Sequence, residues 1–210
     1  MSQEGYPSEP GTGERIRDTA AALFRQEGFN GTSMQDLATA VGITKSSLYH
    51  HYASKQALLA DIIASTMNLV IPLVRETAAA TDLPVSGRLH RSLVLHVEES
   101  ILELDYVACF AEEGRFLSSD FMATHQEKKD QYERLFRDMI EEGIDKGEFL
   151  VQDSALAAMA ILGMCDGLIR RYRPTGDRLP SEIATVFADT ALRGLGQPEV
   201  DRVAVAEVAR

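Results

Sequence analysis

Residues 44–52 form a run of short polar, cationic and aromatic side chains that could contact DNA. Short donors and acceptors let a helix approach base edges closely, because nothing bulky separates the backbone from the groove. Aromatic hydroxyls and imidazoles suit the phosphate oxygens beside the groove. The predicted base-contacting residues are Thr44, Lys45, Ser46 and Ser47. The predicted phosphate-contacting residues of the same helix are Tyr49, His50 and His51.

Lys55 extends this set into the next predicted helix, which begins after Ser54 as its cap. A cation in a first turn is unfavourable against the helix dipole. We therefore predict an external partner for Lys55, such as a phosphate.

Two short helices joined by a tight turn would position these side chains. Ser33 and Asp36 form a capping-box pattern, and the apolar residues that follow recur at helical spacing: Met34, Leu37, Ala38 and Val41. Gly42 is suited to ending that helix, and Thr44 to capping the next. The pattern predicts a helix-turn-helix, although an ordinary pair of packed helices with surface serine and lysine is the alternative.

The segment 16–59 resembles the TetR family of transcriptional regulators. The elements T-S-M-Q-D-L-A, A-V-G-I-T, S-L-Y-H-H-Y and S-K-Q-A-L-L occur in the order and spacing of that family. The resemblance implies an all-α homodimer with an N-terminal three-helix DNA-binding domain and a larger C-terminal helical domain for ligand and dimerisation. It also implies that Thr32, Tyr49, His51 and Lys55 hold the phosphate backbone.

The composition fits a globular cytoplasmic protein. Hydrophobic residues make up 45% and charged residues 25% of 210 residues, and we find neither a signal peptide pattern nor an apolar run long enough to span a membrane. The net charge is −11, but residues 13–60 carry five basic and four acidic side chains. Phosphate binding depends on the local face, so the acidic total does not exclude DNA.

The order of patterns predicts four segments: a flexible tail at 1–12, the DNA-binding domain at 13–59, the ligand-binding and dimerisation domain at 60–196, and a loose tail at 197–210. A long helix containing Pro72 would connect the two domains. Small residues on the last two long helices permit close helix approach, so we predict the dimer interface there. Two DNA-binding helices about 34 Å apart would require a two-fold dimer and a palindromic operator.

Catalytic and metal-binding patterns are weak throughout the sequence. His90 and His96 are spaced i, i+6, unlike the i, i+4 pair of zinc motifs, and Cys109 and Cys165 have no metal or disulfide spacing. We therefore predict no enzyme activity, no metal and no cofactor.

Apolar, cysteine and methionine side chains of the C-terminal region predict a ligand pocket, with plain core packing as the alternative for each. The predicted pocket residues are Cys109, Glu112, Phe116, Phe121, Met122, Leu162, Cys165, Asp166, Ile169, Arg170 and Tyr172. The segment Arg170–Pro174 resembles the Tyr-Arg-Pro segment of TetR-type regulators of lipid, sterol and aromatic-acid degradation, whose effector is often an acyl-CoA thioester. Arginines near a helix end suit CoA phosphates but also the helix dipole.

The sequence thus predicts a repressor that leaves its operator when a small-molecule effector binds. The effector could be an acyl-CoA or a lipophilic drug-like compound. Two alternatives belong to other classes. One is a DNA-binding protein without an effector, either architectural or partner-recruiting, and the other is a helical enzyme that uses Glu112 or Asp166 as acid or base.

Overall fold

The computed structural model describes residues 11–169, 171–173 and 178–196, and only the backbone of residues 108, 110–112 and 169. Every regular element in these residues is helical, which confirms the predicted all-α class. The α-helices are α1 (Thr12–Glu27), α2 (Met34–Val41), α3 (Lys45–His51), α4 (Lys55–Ala78), α5 (Val85–Leu102), α6 (Leu104–Glu113), α7 (Ser119–Asp145), α8 (Ser154–Ile169) and α9 (Pro180–Gly196). The predicted tails at 1–12 and 197–210 fall outside the described residues except for Gly11, which precedes α1, and Thr12, which is its first residue.

The chain forms two compact units. Within the described residues, the first unit comprises 11–68 and 103–127, and the second comprises 69–102 and 128–196. Helix α6 therefore packs in the same unit as α1–α3. A single boundary between residues 59 and 60 would separate α6 from these helices. The predicted division of the chain into domains stays a prediction.

The core of the first unit is built around the apolar face of α1. Ile16, Ala20 and Phe24 recur at helical spacing and are fully buried. The same core includes Leu37, Leu48 and apolar residues from the first turns of α4, together with Tyr106 and Cys109 of α6. Because α2 and α3 are only eight and seven residues long, they depend on this packing for stability.

The second unit contains α5, α8, α9 and most of α7. Leu89, Leu93 and Val97 form one buried face of α5. Helix α9 packs closely against α5 through the small buried residues Ala184 and Ala188. Glu148 caps α5 by accepting the backbone N–H groups of residues 85 and 86 at 3.1 and 2.8 Å.

Helix α8 is apolar on nearly every side but is only partly covered within this unit. Ala158, Ile161 and Cys165 are buried, whereas Leu156 and Met159 are 58% and 57% exposed. On α9, Val186 is 50% exposed. A helix of this composition needs cover on its second face.

Helix α4 is long and apolar enough to cross a membrane by length and composition alone. The sequence analysis did not identify this segment as a candidate span, because Asp61 and several polar residues interrupt the apolar run. Core helices of globular proteins meet the same criterion, and Leu58, Leu59 and Ile62 of α4 are fully buried in the first unit. Pro72 lies inside α4, which continues to Ala78.

Candidate nucleic-acid interface

The ends of α2 and the start of α3 have the local structure that the sequence predicts. Ser33 accepts the N–H of Asp36 at 3.2 Å, and the Asp36 carboxylate accepts the N–H of Ser33 at 2.9 Å, which completes the capping box. These bonds hold the pKa of Asp36 below its usual value. Gly42 ends α2 in the left-handed conformation, with φ at 77°. Thr44 then caps α3 by accepting the N–H of Ser47 at 3.1 Å.

Helix α3 presents one polar face to solvent above a single apolar anchor. Leu48 is fully buried, and the residues around it that were predicted to contact DNA lie at the surface. Those that are exposed are Thr44, Lys45, Ser46, Tyr49, His50 and His51, and Ser47 is partly exposed. The helix can therefore approach another surface with short side chains foremost and imidazoles at its end.

Tyr52 fixes the end of α3 to the rest of the unit. Its hydroxyl donates to Asp61 at 2.7 Å, and the guanidinium of Arg17 donates to the same oxygen at 3.2 Å. Burial and the Asp61 carboxylate raise the pKa of Tyr52, so the hydroxyl remains a donor. Arg15 donates to the carbonyl of Val41 at 3.0 Å. Both arginines thus bond inside the unit.

Thr32 and Lys55 also bond inside the unit. Thr32 is 1% exposed, and its hydroxyl donates to the carbonyl of Gly28 at 3.0 Å. The ammonium of Lys55 donates to the carbonyls of Phe29 and Thr32. The first-turn cation therefore has partners within the chain, which the sequence analysis did not foresee because they lie 26 and 23 residues away.

Comparison with known families adds to this geometry. A model described as "Bacterial regulatory proteins, tetR family" matches residues 16–62. A second, described as "Tetracyclin repressor-like, C-terminal domain", matches residues 82–195, which is more than half of the chain. The chain belongs to the TetR family. TetR-family members are DNA-binding transcription factors and not enzymes, so the chain is a TetR-type regulator.

Several TetR-family proteins match nearly the whole chain. The HTH-type transcriptional repressor KstR2 of Rhodococcus jostii (strain RHA1) is 27% identical over 185 residues, which are 87% of this chain and 90% of the relative. The regulator PfmR from Thermus thermophilus superposes with a TM-score of 0.80 at 30% identity, covering 87% of this chain and all of that one. The ketosteroid transcriptional regulator KstR2 of Mycobacterium tuberculosis has the same fold, with a TM-score of 0.80 at 23% identity over 93% of this chain and 100% of that one.

The predicted ligand-pocket residues are divided between the two units. In the first unit, Cys109 is buried, and Phe116 and Phe121 pack against the core of the helix-turn-helix. Phe116 stacks on Phe29 with ring centroids 4.9 Å apart, and Met122 is 37% exposed. The side chain of Glu112 lies outside the described residues.

In the second unit, Cys165 is buried, Leu162 and Tyr172 are partly buried, and Asp166 is exposed. Burial raises the pKa of the Cys165 thiol to about 12, so a reactive thiolate is unfavourable. Arg170 and the side chain of Ile169 lie outside the described residues. The pocket as a set stays a prediction.

A polar pair in the second unit, formed by the buried Tyr132 and the partly buried His96, was missed by the sequence analysis. Nδ1 of His96 on α5 lies 3.0 Å from the hydroxyl of Tyr132 on α7. Nε2 of His96 is buried, and no described residue offers it a hydrogen bond. The i, i+6 spacing of His90 and His96 gave no signal for this pair, because the partner comes from another helix.

Among the described residues, no group of three or more His, Cys, Asp or Glu side chains could hold a metal ion.

Proposed function

We propose that this TetR-type transcriptional repressor binds a palindromic operator as a homodimer in the cytoplasm and releases it when a small molecule binds. The observation that carries the DNA-binding part is the exposed polar face of α3 above the buried Leu48. A helix held by one apolar anchor, with short polar residues outward, fits the major groove.

Within that groove, Thr44, Lys45, Ser46 and Ser47 contact bases. Thr44 accepts one N–H as a helix cap and keeps its own O–H for a base acceptor. Tyr49, His50 and His51, which follow on the same exposed face, contact phosphate oxygens. Thr32 and Lys55 were predicted phosphate contacts, but their hydrogen bonds inside the unit favour a structural role for both.

The exposed apolar residues of α8 and α9 support the homodimer. Leu156, Met159 and Val186 are each at least half exposed on helices that also carry many small residues. A second copy of the chain would cover them and bring two α3 helices to one face of a duplex. In such a dimer the two α3 helices would lie about 34 Å apart, which is one duplex turn, and the two-fold symmetry would match a palindromic operator.

The pair of His96 and Tyr132 supports an effector with a hydrogen-bond acceptor. Burial lowers the pKa of His96, although Asp166 opposes the shift, so the imidazole is neutral. Burial, with Cys165 and Asp166 adding to it, raises the pKa of Tyr132, so its hydroxyl is a donor. If Tyr132 donates to Nδ1, then Nε2 carries the proton of the neutral ring.

A buried N–H without an acceptor costs about 1–3 kcal/mol. We assign the missing acceptor to a carbonyl oxygen of the effector. The thioester carbonyl of an acyl-CoA fits this description, and the relatives named KstR2, one of which is described as a ketosteroid regulator, make thioesters of sterol-derived acids the first candidates. Arg171 and Arg173 are exposed near the end of α8 and would suit the CoA phosphates.

The test is fluorescence anisotropy on labelled DNA from the region flanking the gene of this protein, titrated with acyl-CoAs, the matching free acids and CoA alone. We expect binding at nanomolar protein and release by a thioester but not by CoA alone. Release by uncharged lipophilic compounds alone would favour the drug-like alternative. Absence of any binding to flanking or random DNA would contradict the regulatory function itself.

Variants separate the effector site from the DNA site. His96→Phe removes the N–H that is assigned to the effector, and Tyr132→Phe removes the hydrogen bond that fixes the tautomer of His96. Each should raise the effector concentration for half-release about tenfold and leave operator affinity unchanged. His90→Gln is the matched control, because His90 lies on the same helix but pairs with Asp189, at 3.1 Å, and not with Tyr132. An unchanged half-release concentration in both test variants would exclude the pair from the effector site.

A further inference from the structure

The loop between α1 and α2, residues 28–33, is tightly constrained. Gly28 has φ at 76°, which favours glycine. A Cβ on Gly31 would lie 2.3 Å from the carbonyl oxygen of Glu27, so only glycine fits there. Thr32 closes the loop, since its N–H and hydroxyl both donate to the carbonyl of Gly28. This backbone has little freedom to move without breaking several bonds.

Lys55 binds this loop from the start of α4. Its ammonium donates to the carbonyl of Phe29 and, at 2.6 Å, to that of Thr32. The same nitrogen lies 4.3 Å from the centroid of the Phe29 ring, where a cation is attracted to the aromatic face. Two of its three N–H groups and part of its charge are therefore directed into the loop.

Glu113 binds the same loop from the end of α6. It is 5% exposed, and its Oε1 accepts the N–H of Phe29 at 3.0 Å. Its Oε2 has no hydrogen-bond partner among the described residues, and the guanidinium of the exposed Arg115 lies 3.9 Å away. The main polar contact of this buried carboxylate is thus a single backbone amide of the loop.

Phe29 therefore donates its N–H to the carboxylate of Glu113 and accepts a hydrogen bond from the ammonium of Lys55 at its carbonyl. Its ring packs between Phe24 and Phe116, with centroids 5.2 and 4.9 Å away. Burying either charged group without a hydrogen-bond partner is unfavourable, and here the N–H of Phe29 serves Glu113 while its carbonyl serves Lys55. The three residues therefore depend on one another, although 84 positions separate Phe29 from Glu113.

We propose that Glu113, Phe29 and Lys55 form a relay that positions the DNA-binding surface, and that Lys55 acts through the α1–α2 loop and not as a phosphate contact. The loop leads directly into the capping box of α2, and α2 packs against α3, so a displaced loop tilts α3. Glu113 and Lys55 thus act as positioning residues for the α1–α2 loop. The inference rests on the proposed DNA-binding function and deepens it.

The salt dependence of operator binding distinguishes the two roles of Lys55. Lys55→Met should weaken operator binding about tenfold at every salt concentration, because the charged hydrogen bonds that hold the loop are lost. The slope of log K against log salt should equal that of the unaltered protein, because no phosphate contact is lost. A slope smaller in magnitude by about 1.8, which is about 0.9 for each of the two protomers, would identify a phosphate contact and overturn the proposal. Lys129→Met, which removes an exposed lysine of α7, is the matched control.

Coupling between the two charged residues tests the relay. Glu113→Leu should weaken operator binding about as much as Lys55→Met, and the double variant should lie within about twofold of the weaker single variant. Glu113→Gln keeps an acceptor for the Phe29 N–H and should stay within about threefold of the unaltered protein. Additive losses of about a hundredfold in the double variant would contradict the relay.

A measurement without DNA separates failure of the relay from failure of the DNA-binding function. Hydrogen exchange of the Phe29 amide should be slow in the free protein and at least about tenfold faster in Lys55→Met. Fast exchange in the unaltered protein, or no change in the variant, would overturn the relay whatever the DNA result. This readout also decides the case if Glu113→Leu does not fold.

Discussion

The hydroxyl of Tyr106 on α6 donates to the carboxylate of Asp18 on α1 over 2.5 Å. The same two helices are joined by an ion pair between Arg25 and Asp105. Together with the apolar contact of Tyr106 and Cys109 with the core, these bonds make α6 part of the DNA-binding unit. Helix α6 thus belongs to the matched C-terminal family region by sequence and to the helix-turn-helix by packing.

Tyr106→Phe should lower the free energy of unfolding by about 1–2 kcal/mol, because the Asp18 carboxylate loses a charged hydrogen bond. Burial and the bond to Asp18 raise the pKa of Tyr106, so the hydroxyl donates throughout the neutral range. Urea denaturation at pH 7 measures the change. Tyr49→Phe, at an exposed position of α3, is the control and should alter stability by less than about 0.5 kcal/mol. Equal effects of the two substitutions would show that the bond from Tyr106 to Asp18 does not stabilise the protein.

Glu142→Gln should destabilise the protein at neutral pH but much less in acid. Hydrogen bonds from Arg88 and Lys146 lower the pKa of Glu142 from 4.5 to about 2. A lowered carboxyl pKa contributes stability that is present above pH 4.5 and lost as the pH falls towards 2. Because the carboxylate is partly exposed, we expect a difference of about 1 kcal/mol at pH 7.

Urea unfolding at several pH values measures this difference, which should shrink as the pH falls below 4.5. Glu141→Gln removes the same charge from the neighbouring exposed position and should cost less at pH 7. A difference that stays constant down to pH 3 would show that the ion pair with Arg88 does not carry the effect.

Lys45→Ala should change which operator sequences are preferred, because Lys45 lies among the exposed residues at the start of α3. Loss of one base contact costs about 1–3 kcal/mol at the position contacted and little elsewhere. Competition binding against operators with single base-pair changes measures this profile. A loss of equal size on operator and random DNA would assign Lys45 to the phosphate backbone instead.

Met159→Glu should dissociate the proposed dimer, because it places a charge in the centre of the exposed apolar face of α8. Light scattering coupled to size exclusion should show a mass near 23.1 kDa in place of twice that value. Leu150→Glu, at an exposed leucine between α7 and α8, is the control and should remain dimeric. A dimer that survives the Met159 substitution would place the interface elsewhere.

The local structure around α2 and α3 could be predicted from the sequence because each signal depends on neighbouring residues. Ser33 and Asp36 cap α2, Gly42 ends it, and Thr44 caps α3, all within twelve positions. Exposure of Lys45 and burial of Leu48 follow from helical spacing in the same way.

The long-range bonds of the same unit could not be predicted. The position of Lys55 in a first turn indicates only that it needs a partner, and it does not distinguish the carbonyl of Phe29 from a phosphate. The contact of Glu113 with this loop has no signal in the sequence, since its bond to Phe29 spans 84 positions. Pairing of His96 with Tyr132 likewise depends on which helix packs beside α5, and no pattern within either helix specifies that.

The position of α6 in the first unit also determines when that unit can fold during synthesis on the ribosome. Residues 11–68 leave the ribosome first, yet their core includes Tyr106, Cys109 and Phe116. Until translation has passed these positions, the apolar face of α1 lacks part of its cover and the N–H of Phe29 lacks the carboxylate of Glu113. The helix-turn-helix of this protein therefore completes its packing late, after all of the intervening α4 and α5 has been made.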